Sequence, residues 1–312
     1  MVGAGGLGSY LGAALALGGR EVDLVARGEH RAAIERDGLR VRRPDGELVV
    51  HPRCVDSALE STGADLPPVD AVIVAVKAYS LDEVAPQVAH LADAGAVVVP
   101  VLNGVDVTER LRAAGVRADR VVDGVAYLTA FRTAPGVTEP RAAHRRVVVG
   151  SADGSADDGL ARVLALFEGC EVEAQVRADI RPELWQKMAV VCSLAVLCGI
   201  TGSGMGRVRE HPLGRDLQER AVAEVIQVGR ASGARLPVDA EERVHELLDE
   251  FPEDFYPSVV HDLKSGRPTE MDHLGGVISR LGRAHGVETP LHDAATCAVK
   301  LLETEGRPEG GA

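Results

Sequence analysis

A glycine-rich turn at the start of the chain constrains its fold more than any other feature. The chain opens MVGAGGLGSY, and the glycines at positions 3, 5 and 8 fit the pattern GxGxxG. Such glycines allow a tight turn and let the N-terminus of the following helix approach the pyrophosphate of a dinucleotide. An apolar run over residues 11–17 predicts that helix directly after the turn. The turn is therefore a candidate dinucleotide site, the alternative being a purely structural turn, and its candidate contacts are Gly3, Gly5, Gly6, Leu7 and Gly8.

A turn of this kind normally follows a buried strand, but only Met1 and Val2 precede it here. The first strand lies in the middle of such a sheet, where an empty slot would leave the backbone groups of both neighbouring strands unpaired. We expect either that the strand persists as a stub at Met1 and Val2, or that the natural start lies about five residues upstream.

Two continuous apolar runs indicate parallel strands that are buried on both faces. They are DAVIVAV at 70–76 and AVVVPVL at 96–102, and residues 81–92 between them have a helical pattern. The stretch REVDLVA at 20–26 predicts an earlier strand that ends at Arg27. Strands that alternate with helices predict an open, doubly wound sheet.

Later strands are expected at 121–127 and 146–149, with a hairpin between them at Pro135 and Gly136. From about residue 179, helical periodicity takes over and strand signals vanish. The length of 312 residues suits two domains. The predicted fold class is therefore α/β, with an N-terminal Rossmann-type doubly wound sheet that binds the cofactor at 1–178 and an all-helical domain for substrate binding and dimerisation at 179–312.

Helix signals recur along the second domain. The stretch PELWQKMAVVCSLAVLCG at 182–199 is apolar almost all round, which predicts a buried helix. Thr269 followed by Asp272 predicts a capping box at a helix start. Thr289 and Pro290 predict the start of another helix, and residues 305–312 are expected to fray.

Composition excludes several classes of partner. The net charge is −13 and no large basic cluster is present, so we expect no nucleic acid partner. The five cysteines show no CxxC spacing and the ten histidines show no metal-site spacing, so neither a disulfide framework nor a metal site is expected. No export signal or long apolar run stands out. We expect a cytoplasmic protein that spans no membrane and acts on a small molecule.

The residue that ends the second strand of such a domain selects between NADH and NADPH. A carboxylate there hydrogen-bonds the ribose 2′-hydroxyl, whereas an arginine accommodates a 2′-phosphate. Arg27 holds this place, and Asp23 falls within the strand instead of at its end. We therefore expect NADPH, with Arg27 as a phosphate ligand, the alternative being a solvated surface arginine.

Lysine and asparagine are scarce, which makes their positions informative. Only four of the 34 basic residues are lysines, and Asn103 is the single asparagine. Lys77 and Asn103 follow the two buried runs, at the sheet edge where ligands bind, although a turn would also explain them. Lys187 lies within the apolar stretch at 182–199, where burial lowers the pKa of a lysine and makes it a proton donor near neutrality. The alternative is a lysine that reaches from the helix into solvent.

Together these residues resemble ketopantoate reductase and its relatives, the NADPH-dependent 2-dehydropantoate 2-reductases. The resemblance covers nearly the whole chain, and it implies a Rossmann domain followed by a helical domain, with the active site in the cleft between them. Its marks are GAGGLG at 3–8, Arg27, VKAY at 76–79, LNG at 102–104, LWQK at 184–187 and the stretch from Ser258 through PTEMD at 268–272.

The resemblance also implies roles for single residues. It makes Lys187 the general acid and Glu270 its acidic partner, which also lies near the nicotinamide ribose. Ser258 would bind the substrate carboxylate, and Lys77 and Asn103 would lie at the cofactor and the reacting carbonyl. A positioned acid of this kind is worth roughly 10²- to 10⁴-fold in rate.

The chain departs from the family at its substrate positions. Family asparagines usually lie four and eight residues after the catalytic lysine, where this chain has Val191 and Ala195, and a third aligns near Met205. Each lost hydrogen bond is worth about 0.5 to 1.5 kcal/mol, so we expect a less polar or bulkier carbonyl or imine substrate. An imine reductase, a hydroxy-acid dehydrogenase and an NADPH-binding regulator without turnover stay open as alternatives. The apolar second domain favours a homodimer.

Overall fold

The computed structural model describes residues 1–63, 65–141, 145–151 and 157–305. The described residues form two compact units, the first built from 1–102 with 106–180 and the second from 103–105 with 181–305. Residues 306–312 of the tail that the sequence predicts to fray lie outside the described part.

The first unit contains all the strands of the described residues. In chain order they are β1 (Asp23–Val25), β2 (Leu39–Arg43), β3 (Gly46–Val50), β4 (Arg53–Val55), β5 (Ala71–Val74), β6 (Val97–Pro100), β7 (Asp123–Tyr127), β8 (Ala130–Ala134), β9 (Val137–Pro140), β10 (Arg146–Gly150) and β11 (Glu173–Arg177). Its helices are α1 (Gly6–Leu17), α2 (Gly28–Asp37), α3 (Leu81–Asp93), α4 (Val107–Ala113) and α5 (Asp157–Phe167).

The second unit is helical. Its helices are α6 (Arg181–Thr201), α7 (Met205–Glu210), α8 (Gly214–Ala231), α9 (Ala240–Asp249), α10 (Ser258–Lys264), α11 (Gly275–His285) and α12 (Pro290–Glu305).

A single residue fills the slot of the missing first strand. Val2 forms parallel bridges to Val25 of β1 on one side and to Val74 of β5 on the other. Its N–H donates to the carbonyl of Ile73 at 2.9 Å, and its carbonyl accepts from the N–H of Ala75 at 2.8 Å. The predicted stub is therefore present, and it joins the β1–β4 pair to the β5–β6 pair in one parallel sheet.

The sheet continues beyond β6 with a change of strand direction. A parallel bridge joins Val98 of β6 to Val121, at the entry to β7. Strand β10 then pairs antiparallel to β7, and β11 pairs parallel to β10. The doubly wound sheet predicted from sequence is confirmed, and the two strands at one edge, β10 and β11, run antiparallel to the others.

The central strands are buried on both faces, as their unbroken apolar sequences predict. Ile73 of β5 packs in a core with the apolar residues of α1 and α5. Its neighbours Val72 and Val74 point the other way, into a core with α3 and α4. Because successive side chains of a strand alternate between faces, every residue of β5 and β6 has to be apolar.

The hairpin expected at Pro135 and Gly136 is present, but it does not join residues 121–127 to 146–149. Those two stretches pair directly as β7 and β10, whereas Pro135 and Gly136 form the turn of a separate hairpin, β8–β9. That hairpin joins β2 and β3 in a second, four-stranded sheet. Strands β8 and β9 are short, and β8 is largely exposed, so neither has the continuous apolar sequence that predicts a buried strand.

The apolar stretch at 182–199 forms the central helix of the second unit, as predicted. Helix α6 packs against α8, α9, α10 and α12. By length and composition it could cross a membrane, with a mean hydropathy of 1.6, but 61% of that window is buried inside the protein. It is therefore the core helix of this unit.

The expected capping box at Thr269 and Asp272 is also wrong, whereas α12 begins at Pro290 as predicted. A short 3₁₀ turn at Met271–His273 follows Thr269, and α11 begins only at Gly275. The backbone N–H of Thr269 donates instead to Glu303 of α12, at 3.0 Å. The carboxylate of Glu303, distant in sequence, therefore accepts the hydrogen bond that Asp272 would accept in a capping box.

Candidate functional site

Two glycines of the N-terminal turn allow close packing of backbone on backbone. Gly3 has a φ of 104°, and a Cβ added there would lie 2.8 Å from the carbonyl carbon of Ala75, just after β5. A Cβ at Gly8 would overlap the carbonyl oxygen of Gly3. These positions therefore need glycine to bring the turn against the sheet and α1 against the turn.

Gly5 is different, because an added Cβ would meet no atom within 4 Å. It is the N-cap of α1, in extended conformation and without a side-chain cap. The first N–H groups of a helix have no partner within the helix, and the helix dipole makes this end attractive to anions. Open space in front of unpaired amides fits the pyrophosphate of a dinucleotide, so the structure accommodates the nicotinamide cofactor that the turn predicts.

A buried histidine fixes the turn from behind, and the sequence analysis did not identify it. The N–H of Gly136 donates to Nδ1 of His30 at 2.9 Å, so the ring proton lies on Nε2, which is 3.3 Å from the hydroxyl of Ser9. Ser9 in turn donates to the carbonyl of Ala4, inside the turn, at 3.1 Å. Burial, with a smaller effect from Arg132, lowers the pKa of His30 to about 4, so the ring stays neutral at physiological pH.

The β8–β9 hairpin holds the turn at a second point. The hydroxyl of Thr138, which is fully buried, donates to the carbonyl of Gly6 at 3.1 Å. A Cβ at Gly6 would overlap the carbonyl oxygen of Ala130, so glycine is required here as well. The backbone of the N-terminal turn is thus held directly by Thr138, more than 100 positions away in sequence, and indirectly by Gly136 through His30 and Ser9.

Arg27 lies at the N-cap of α2, just after β1, where the sequence analysis places it. Its side chain is 61% exposed and pairs with Glu83 at 3.3 Å. Such an exposed pair contributes at most about 1 kcal/mol, so a phosphate can displace Glu83. Arg31, which was missed from sequence, pairs with Asp56 at 2.5 Å, and Arg27 contacts the carbonyl of the same Asp56.

Asp23 lies at the amino end of β1 and not at its carboxyl end, so it cannot take the place of a ribose ligand. It is the first residue of β1 and forms an ion pair with Arg53 at 2.6 Å. Burial alone would raise the pKa of this carboxyl, but the hydrogen bonds from Arg53 and Ser61 outweigh burial and lower it.

Lys77 and Asn103 follow the carboxyl ends of the adjacent parallel strands β5 and β6. Lys77 is half-buried, and its backbone forms the N-cap of a 3₁₀ turn at Ala78–Ser80. Asn103 is half-buried and belongs to the second unit.

Lys187 lies in the second turn of α6 and is half-buried. Burial lowers the pKa of its ammonium to about 8, and the negative charge of Glu270 opposes this effect. The direction agrees with the prediction from sequence. At pH 7 the side chain carries a proton that it can release readily.

Glu270 is brought near Lys187 by a segment distant in sequence, and both belong to the second unit. It is 7% exposed and is the N-cap of the 3₁₀ turn before α11. Its carbonyl accepts from the N–H groups of His273 at 2.9 Å and Leu274 at 3.0 Å, which fixes its backbone.

Ser258 and the three positions where the resemblance places family asparagines differ in exposure. Ser258, the first residue of α10, is exposed. Val191 is half-buried one helical turn after Lys187, whereas Ala195 and Met205 are buried in the helical core. Among the three places where family asparagines are expected, only Val191 keeps partial exposure. Within the described ranges, no group of three or more His, Cys, Asp or Glu residues is arranged to hold a metal ion.

Comparison with known families agrees with this arrangement. The model of the ketopantoate reductase PanE/ApbA family matches residues 1–154, and the model of its C-terminal part matches residues 179–303. The chain is 30% identical to the 2-dehydropantoate 2-reductase of Mesorhizobium japonicum over 97% of each chain. It is also 30% identical to that of Halobacterium salinarum, over 97% of this chain and 98% of the other.

Solved structures agree as well. A PanE/ApbA family ketopantoate reductase from Ralstonia eutropha is 28% identical over 98% of both chains, with a TM-score of 0.86. A D-mandelate dehydrogenase in complex with NADH and anilino(oxo)acetate is 25% identical over 98% of both chains, with a TM-score of 0.85. Ketopantoate reductases use NADPH. This chain belongs to the ketopantoate reductase family of NADPH-dependent oxidoreductases.

Proposed function

We propose that the protein reduces the ketone of 2-oxo acids that carry an apolar side chain, with Lys187 as the general acid. The observation that carries the proposal is the state of Lys187, a half-buried ammonium whose pKa is lowered to about 8 beside Glu270. A structural lysine on an apolar helix would be costly to retain, whereas a proton donor needs this environment.

The chemistry follows from charge. Bound NADPH would supply the hydride, and negative charge would develop on the carbonyl oxygen as the ketone is reduced. Lys187 donates its proton to that oxygen, which removes the charge as it forms. Glu270 holds the ammonium form of Lys187 against the effect of burial, so the acid remains protonated near neutrality. Ser258 and Asn103 are proposed contacts for the substrate, and Gly3, Gly5, Gly8, Arg27 and Lys77 for the cofactor.

The apolar preference rests on Val191. A residue four positions after Lys187 lies on the same face of α6, and it is half-buried without a polar group. A polar substrate hydroxyl against this side chain would lose a hydrogen bond worth about 0.5 to 1.5 kcal/mol. We therefore expect 2-oxo acids with apolar side chains to exceed ketopantoate in kcat/KM.

A substrate panel with Val191→Asn tests this preference. The added amide is expected to raise the ratio of kcat/KM for ketopantoate over an apolar 2-oxo acid by about 2- to 12-fold, the equivalent of one hydrogen bond. Ile200→Asn, at an exposed position of the same helix, is the matched control and is expected to leave the ratio unchanged. Equal turnover of both substrates by the unmodified protein would count against an apolar preference.

The pH dependence of the reduction is a second test. The acid must be protonated, so kcat is expected to be level below pH 8 and to fall about tenfold per pH unit above it. A lysine at its ordinary pKa of 10.5 would keep the rate level beyond pH 9. Initial rates of NADPH oxidation from pH 6 to 10 measure this, and a level profile to pH 10 would show that the acid does not titrate near 8.

A second candidate is the reverse reaction on an aryl 2-hydroxy acid. The observation in its favour is the similarity to the D-mandelate dehydrogenase bound to anilino(oxo)acetate. Neutral Lys187 would then accept the proton, so the oxidation rate would rise with pH up to about 8. A non-catalytic NADPH-binding regulator would oxidise no NADPH with any substrate.

We also propose that the protein forms a homodimer and lies in the cytoplasm.

A further inference from the structure

Lys300 is one of only four lysines, and the proposed reaction does not use it. It lies on α12, and its ammonium contacts Asp272 at 2.8 Å and Glu303 at 2.7 Å. Burial alone would lower its pKa, but the hydrogen bonds that its ammonium donates to Asp272 and Glu303 raise it. Lys300 therefore stays charged and bridges α12 to the segment before α11.

Glu303, one turn further along α12, binds the other end of the same segment, at Thr269. It is 8% exposed as a side chain. Its Oε1 accepts from the backbone N–H of Thr269 at 3.0 Å and from the hydroxyl of Thr269. Burial alone would raise the pKa of this carboxyl, but the bonds from Lys300 and Thr269 lower it, so it stays ionised.

The two contacts enclose Glu270. Thr269 and Asp272 are the first and last residues of a four-residue segment, and Glu270 is the second. Because Lys300 and Glu303 also pair with each other, one charged unit on α12 holds both ends of this segment. The hydroxyl of Thr269 additionally accepts from the N–H of Met271 at 3.2 Å, which stiffens the interior.

We propose that Lys300 and Glu303 are positioning residues that set the place of the Glu270 carboxylate relative to Lys187 and thereby tune the strength of the acid. This inference rests on the proposed function of Lys187. The attraction between two charges varies with the inverse of their separation, so a small movement of Glu270 changes how far it supports the charged form of Lys187. Loosening either end of the segment weakens that support.

The test reads the lysines directly. Protein labelled with ¹³C at lysine Cε shows four signals, one for each lysine, and Lys→Arg variants assign them. Glu303→Gln is expected to lower the midpoint of the Lys187 titration below its value of about 8. In the same variant kcat is expected to fall about tenfold, a typical effect of slight misplacement, with the KM for NADPH unchanged.

Lys300→Met separates positioning from a direct electric field. Glu303→Gln removes a negative charge and Lys300→Met removes a positive one, so direct fields would move the Lys187 titration in opposite directions. Positioning predicts that both variants lower it, and that Lys300→Arg restores it. Asp216→Asn, in an exposed ion pair of α8, is the control for a distant charge change in the same unit and is expected to leave Lys187 unchanged.

The outcomes are distinct. Movement in opposite directions, or no movement in either variant, overturns the proposal. Lys300→Met decides alone if Glu303→Gln fails to fold. If Lys300→Met fails to fold, Thr269→Val takes its place, because it loosens the contact with Glu303 without a change of charge. If the Lys187 titration moves as expected but the unmodified protein reduces no 2-oxo acid, positioning stands and the proposed reaction fails.

Discussion

Replacing Lys187 by methionine is expected to lower kcat for 2-oxo acid reduction by about 10²- to 10⁴-fold, while the Kd for NADPH stays nearly unchanged. Methionine has similar length and no charge, so it fills the half-buried site on α6 without leaving a cavity. What it removes is the proton donor, which acts on the charge that develops during reduction. Stopped-flow or steady-state NADPH oxidation gives kcat, and fluorescence titration gives the Kd.

Lys264→Met is the matched control. Lys264 also belongs to the second unit, but it is exposed and lies 4.3 Å from the ring of Tyr256. This substitution is expected to leave kcat within about twofold, as for most exposed positions. If Lys187→Met and Lys264→Met retain similar activity, Lys187 is not the acid.

Alanine substitutions at two glycines of the N-terminal turn are expected to have different effects, one on NADPH binding and the other on stability. Gly5→Ala adds a methyl group where no atom lies within 4 Å, so folding is unaffected, but the methyl group takes up open space at the N-cap of α1, where the pyrophosphate is expected to bind. We expect the Kd for NADPH to rise at least about tenfold, or 1.4 kcal/mol. Gly8→Ala forces a methyl group onto the carbonyl oxygen of Gly3, and overpacking of this kind costs about 1 to 3 kcal/mol of stability.

Thermal unfolding followed by circular dichroism and NADPH titration together separate the two effects. Gly276→Ala is the control, because its Cβ would make only ordinary contacts in α11 of the second unit. Gly276→Ala is expected neither to lower the unfolding temperature nor to raise the Kd for NADPH. A Gly5→Ala variant that binds NADPH normally would show that the pyrophosphate does not approach this turn.

The parallel core of the fold was predictable because its signal is local. Strands β5 and β6 are buried on both faces, so each is a continuous apolar run, and the helix α3 between them has clear periodicity. The hairpin turn at Pro135 and Gly136 was predicted, but its strands β8 and β9, like strands β2 and β3, were missed, because short strands of mixed exposure carry no such run. The capping box predicted at Thr269 and Asp272 was wrong for a different reason: the N–H of Thr269 donates to Glu303, which is distant in sequence.

The residues around the candidate site divide in the same way. The GxGxxG motif identified Gly3, Gly5 and Gly8, and the small number of lysines drew attention to Lys187. His30, Arg31 and Thr138 were not identified, since each acts through a partner that only folding brings close.

The sequence by itself determined the cofactor turn, the alternation of strands and helices, the helical second half and the scarce lysine on an apolar helix. Each of these is a pattern within about 20 neighbouring residues, which backbone geometry converts directly into structure. Tertiary structure alone decided that Val2 completes the sheet, that His30 and Thr138 hold the turn, and that Lys300 and Glu303 enclose Glu270. Those contacts join residues far apart in the chain, so only the packed protein specifies them.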